Sequence, residues 1–185
     1  PILSQVGISL SSFLNSMWVS RILGSKALAA IGTSGTCDDI ERAFGFFCMV
    51  TASTKISQML ALGLDDQAGQ VVTDVLRISL ICGVISAAIV IPLMPALIRW
   101  FGAAEEVIKL GTSYANPIFA FSFISCFFFG FAGALQAEGR TILVGIMTII
   151  SVGICIGGVT PLFLKVFNWG MIGAGFVYVL ADAAP

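Results

Sequence analysis

The sequence predicts an all-α, polytopic membrane protein with six transmembrane helices, the last of them truncated. Three observations predict it. Mean hydropathy is +1.03, with 58% hydrophobic and 10% charged residues, whereas an average soluble domain carries about 25% charge. The charges are bunched, which leaves long uncharged runs between them. The organising stretch is a polar turn, Leu135-Gln-Ala-Glu-Gly-Arg-Thr141, followed by 24 residues from Thr141 to Leu164 without a charge. A hydrocarbon core about 30 Å thick takes about 20 helical residues to cross. In lipid a lone span must satisfy its own backbone, so it has to be helical.

The runs define the elements in order. Pro1 to Ser20 is uncharged and makes the first span. Arg21, Lys26, Asp38, Asp39, Glu41 and Arg42 mark the segment after it, read as the first loop. Ala43 to Leu62 is the second span, interrupted by Lys55. The polar turn Gly63-Leu-Asp-Asp-Gln67 ends it, with Gly63 suited to a helix C-terminus. Ile78 to Ile98, 21 residues between two arginines, is the third span. Pro92 and Pro95 should bend its far end, because each removes a backbone donor.

Phe101 to Lys109 is a loop leading into the fourth span. Glu105 and Glu106 suit its first turn, where the helix dipole favours anions. Leu110 to Ala137 is uncharged for 28 residues, more than one crossing needs, so it should tilt or kink at Pro117. The fifth span runs from Thr141 to a break at Pro161. The sixth starts near Gly170 and is cut after Ala181. Because the chain starts at Pro1 and stops at Pro185 inside apolar runs, the expectation is a fragment with both ends removed. Glycines at 130, 133, 145, 153, 157, 158, 170, 173 and 175 mark helix contacts, where a missing side chain lets backbones approach.

Composition also excludes functions. Net charge is −1 with no basic patch, which excludes nucleic acid as a partner. There is no histidine, so the usual proton shuttle and the commonest metal ligand are missing. Cys37, Cys48, Cys82, Cys126 and Cys155 form no CxxC pair and read as small buried hydrophobes. With no clustered carboxylates expected in the membrane and no nucleophile elbow, the chain is not expected to be an enzyme.

Lys55 is the ionisable residue inside an apolar run, and its stem can snorkel to the interface. Asn116-Pro117 either opens a polar break in the fourth span or bends it. Trp18, Trp100 and Trp169 sit near span ends, as interfacial anchors do. Asn15 and Gln58 can bond either a substrate or a neighbouring helix. Trp18 lies three residues after Asn15 on nearly the same face and can stack on a substrate.

Four segments resemble the multidrug and toxic compound extrusion (MATE) transporters. Asn15-Ser-Met-Trp-Val-Ser-Arg-Ile-Leu-Gly-Ser-Lys-Ala-Leu-Ala-Ala-Ile-Gly32 is similar to the family's first helix and loop. Ile56-Ser-Gln-Met-Leu-Ala-Leu-Gly63, Leu135-Gln-Ala-Glu-Gly-Arg140, and Pro161-Leu-Phe-Leu with Gly170-Met-Ile-Gly-Ala174 follow in register.

The resemblance implies that residues 1–185 are the N-terminal six-helix lobe of a two-lobed carrier whose C-terminal lobe is missing. It implies an integral, multi-pass protein with the lipid bilayer and a small organic substrate as partners. The implied function is part of a secondary active antiporter that exports organic, often cationic, compounds in exchange for H⁺ or Na⁺. The alternatives are a lipid-linked precursor flippase of related fold and a non-transporting membrane fragment. No cofactor is expected.

Thr160 and Tyr178 match positions facing the lobe interior in the family, which gives Asn15, Trp18, Gln58, Thr160 and Tyr178 as candidate substrate-binding residues. Thr160 can also cap the helix next to Pro161. Many members carry aspartates where this chain has Asn15 and Thr160, and an Asn where it has Ile156. The coupling-ion site is therefore expected outside this lobe. The family's orientation places the first loop outside the cell, whereas the arginine and lysine count places it in the cytoplasm.

Overall fold

The computed structural model describes residues 2–151, 153, 158–165 and 169–183, and within them it is helical throughout apart from short turns. The elements are α1 (Ile2–Leu23), α2 (Ser25–Ala61), α3 (Asp65–Trp100), α4 (Glu105–Ala120), α5 (Ser122–Ala137), α6 (Thr141–Ser151), α7 (Thr160–Lys165) and α8 (Gly170–Ala183). Six uncharged runs thus hold eight helices, with α4 and α5 sharing the fourth run and α6 and α7 the fifth. By length and composition, α3 passes as a membrane-crossing helix, and α4 with α5 passes as a bent pair; α6 and α8 are shorter apolar helices.

Turn chemistry sets several boundaries as expected. After α2, Gly63 takes φ 71°. Its N–H donates to the Leu60 carbonyl at 3.1 Å and the Leu64 N–H to the Met59 carbonyl at 3.0 Å, the paired closure of a glycine-terminated helix. Gly139 repeats it after α5, with Arg140 N–H donating to the Leu135 carbonyl at 3.0 Å. Glu105 and Glu106 occupy the first turn of α4.

Two expectations are corrected. The charged segment from Arg21 to Arg42 is not a loop. Gly24 alone separates α1 from α2, which then runs unbroken for 37 residues through Asp38, Asp39, Glu41 and Arg42. The physical reason is a buried stripe, Ala27, Ala30, Ser34, Cys37, Glu41, Gly45, Cys48 and Ala52, spaced three or four apart along the helix and made of small residues except at Glu41. Pro92 and Pro95 both lie within α3, which continues through them to Trp100. The fourth run does bend, by 52°, but at Phe121, one turn beyond Pro117. There the Ser122 hydroxyl turns away to donate to the Gly83 carbonyl of α3 at 2.7 Å.

α2, α3 and α5 pack as one group, and α4 packs on α2, α3 and α8. α1 lies against α2, α6, α7 and α8. The main core gathers Val19, Met94, Ile98, Tyr114, Phe119 and Leu164, among others. Glycine permits three close crossings among the described residues: a Cβ at Gly83 would strike the Phe123 backbone of α5, one at Gly133 the Met49 backbone of α2, and one at Gly175 the Tyr114 backbone of α4. Gly153 is described and meets nothing nearby, while its partner Gly157 lies outside the described residues. The outer face is apolar. Ile78, Ile81, Val84, Ile85 and Ile89 of α3 are all about half exposed or more, and only 28% of that helix's apolar window is buried. Lipid is the medium that such a surface fits.

Candidate functional site

A cleft of about 650 Å³ opens between α1, α2, α4 and α8, within the size range of small-molecule sites. Its chemistry comes mostly from α2. Ile31, Gly35, Asp38, Arg42 and Phe46 follow one another at helical spacing down the cleft wall, with Asp39 beside them. α1 contributes the hydroxyls of Ser9, Ser12 and Ser16, while α4 and α8 contribute Tyr114 and Tyr178.

The two tyrosines meet edge to face, with ring centroids 6.3 Å apart and planes at 90°, the arrangement that the ring quadrupoles favour. The Arg42 guanidinium carbon stands 5.9 Å from the centre of the Tyr178 ring, within range of a cation–π contact. Behind this wall Asn15 is 1% exposed and its amide nitrogen donates to the Tyr114 hydroxyl at 3.4 Å. Among the buried oxygens that accept no hydrogen bond from the described residues are Asp38 Oδ1, on the cleft, and Asn15 Oδ1. Glu41 lies on the buried face of α2 at 4% exposure.

The structure brings two of the five candidate residues together. Tyr178 lines the cleft, and Asn15 reaches it through Tyr114. Trp18 is half-buried and packs against the main core. Thr160 is fully buried at the start of α7, apart from the described lining of the cleft. Gln58 is exposed and sits 20 residues after Asp38, roughly 30 Å along α2 and on its opposite side. Lys55 is likewise exposed. Ile156 and Cys155 lie outside the described residues.

What the sequence reading missed is the carboxylate cluster of Asp38, Asp39 and Glu41, because charge alone marked the segment as loop. The signal was present in the small-residue stripe, which resumes in register at Gly45, beyond the charges.

An all-helical bundle with an apolar outer face and a polar cleft is the architecture of an integral, multi-pass membrane protein. The MatE family model matches residues 1–158, and the chain belongs to that family. A crystal structure of MATE in the bent conformation matches with TM-score 0.92 and 26% identity, over 98% of this chain and 40% of that one. The outward-facing conformation of a multidrug resistance MATE family transporter of the MOP superfamily matches at 0.89, with 26% identity over 97% and 40%. A MOP superfamily transporter from Pyrococcus furiosus, for which reverse polarity of the binding pocket suggests a different function, matches at 0.88, with 26% identity over 98% and 40%. The chain therefore spans about 40% of the length of these solved relatives. No curated protein matches it.

Proposed function

We propose that the protein carrying this chain is a secondary active antiporter that exports organic, often cationic, compounds in exchange for H⁺ or Na⁺, with residues 1–185 as its N-terminal lobe. The observation that carries the reading is the cleft, where carboxylates and aromatic rings face a volume of drug size in a MatE-family bundle. Transporters hold substrate between repeats near the bilayer midplane, so a second lobe is the partner that completes the site. Tyr178, and Asn15 through Tyr114, are the residues retained in the substrate site. Trp18, Gln58 and Thr160 belong to the fold around it. The cleft's carboxylates outnumber its single guanidinium among the described lining residues, which disfavours the anionic diphosphate head of a lipid-linked precursor.

Reconstitution of the protein from the intact reading frame tests this. Ethidium efflux from vesicles should accelerate when an inward H⁺ or Na⁺ gradient is imposed and stop when it is collapsed. Efflux indifferent to both gradients excludes coupled antiport.

A further inference from the structure

We infer that Asp38 is the anionic anchor of this cleft, receiving the positive charge of an organic cation whose apolar body lies against Tyr114 and Tyr178. The inference rests on the transport reading above and adds the residue that selects for charge.

Depth is the first support. Asp38 lies 13 residues inside α2 from Ser25 and 23 from Ala61, roughly 20 Å and 35 Å from the helix ends. A carboxylate so far inside an apolar bundle is costly to keep unless charge or donors meet it, and such groups mark binding and transport paths. Its Oδ1 is buried and accepts no hydrogen bond from the described residues. Another buried acceptor without a donor among the described residues, Asn15 Oδ1, is held behind the same wall by the bond from Asn15 to Tyr114. The site thus has acceptors to spare, which suits a cation or a donor and not an anion.

The surroundings agree in sign. On α2 the cleft carries Asp38 and Asp39 against Arg42. α1 brings only neutral hydroxyls, and α4 and α8 bring tyrosines. Arg42 is drawn toward the Tyr178 ring, one turn along the helix from Asp38. Asp39, exposed at the edge of the cleft, lies about 100° further around the helix. A compact ammonium or aromatic iminium ion can place its charge at Asp38 and its hydrocarbon against the two rings.

The test uses the protein from the intact reading frame in lipid nanodiscs, with ethidium as probe. Asp38→Asn should weaken ethidium binding by about tenfold or more, since the lost contact is charge-assisted. Asp38→Glu, which keeps the charge, should restore binding to within about threefold of the original protein. On the unsubstituted protein, saturating ethidium should protect Asp38 from a hydrophobic carbodiimide, read by peptide mass. This arm needs no variant to fold. Binding to Asp38→Asn within about twofold of the original, or carbodiimide labelling undiminished by ethidium, overturns the anchor. If the original protein still exports ethidium, the transport reading survives that result; if it neither binds nor exports ethidium, both fall.

Discussion

Tyr114 carries more of the buried polar structure than any residue the sequence singled out. It is 1% exposed, accepts from Asn15, meets Tyr178 edge-on and has Gly175 pressed against its backbone. Tyr114→Ala should therefore cost roughly 3–5 kcal/mol, as emptying an aromatic core site does. Tyr114→Phe keeps the ring and loses only the hydroxyl, for roughly 1 kcal/mol. Thermal unfolding in detergent, followed by circular dichroism, separates the two; equal losses would mean that the ring's volume is not what matters. Gly24 is a second singular position. Its φ of 88° and ψ of −176° lie in a region that only glycine occupies without strain, so Gly24→Ala should cost roughly 1–3 kcal/mol in the same measurement.

Among the elements, the α2–α5 crossing is set by Gly133, whose missing side chain admits the Met49 backbone. Gly133→Leu should push the helices apart and lower stability by roughly 1–3 kcal/mol or more, visible as a fall in the unfolding midpoint. By contrast, the ion pair of Lys26 with Glu106, 2.7 Å long but with side chains 67% and 62% exposed, should matter little. Lys26→Ala is expected to change stability by about 0–1 kcal/mol. Boundaries were legible in the sequence where two local signals agreed: Gly63 beside a polar turn, Gly139 beside Glu138 and Arg140, Glu105 and Glu106 at a helix start. They were illegible where one signal contradicted another. In α2, charge argued for a loop while the small-residue stripe argued for a helix, and packing decided for the helix. In the fourth run Pro117 drew attention, yet the bend at Phe121 is fixed by a tertiary bond from Ser122 to Gly83 that no local pattern announces. Tyr178 was legible as a site residue through resemblance alone; Asp38 was visible as a residue but not as part of a site, because its neighbours come from helices distant in sequence.

For the molecule as a whole, polarity is turned inside out relative to a soluble bundle. The outer wall of α3 is aliphatic, while on α2 Asp38 lines the cleft and Glu41 is buried. A charge placed on that wall should be tolerated poorly: Val84→Asp, at a site 59% exposed near the middle of α3, should reduce membrane insertion by roughly 2.5–3.5 kcal/mol. A glycosylation-mapping insertion assay reads that directly, and undiminished insertion would place α3 elsewhere than against lipid. The joint at Gly24 has a mechanical corollary for the same bundle. With one residue between them, α1 and α2 have no slack and can only open like shears about a rivet. Ser16 lies about 12 Å from that pivot and Ser9 about 22 Å, so a swing of about 10° parts the blades by about 2 Å at the first and about 4 Å at the second. Widening is therefore graded, and the mouth nearest Ser9 gapes about twice as far as the throat beside Ser16.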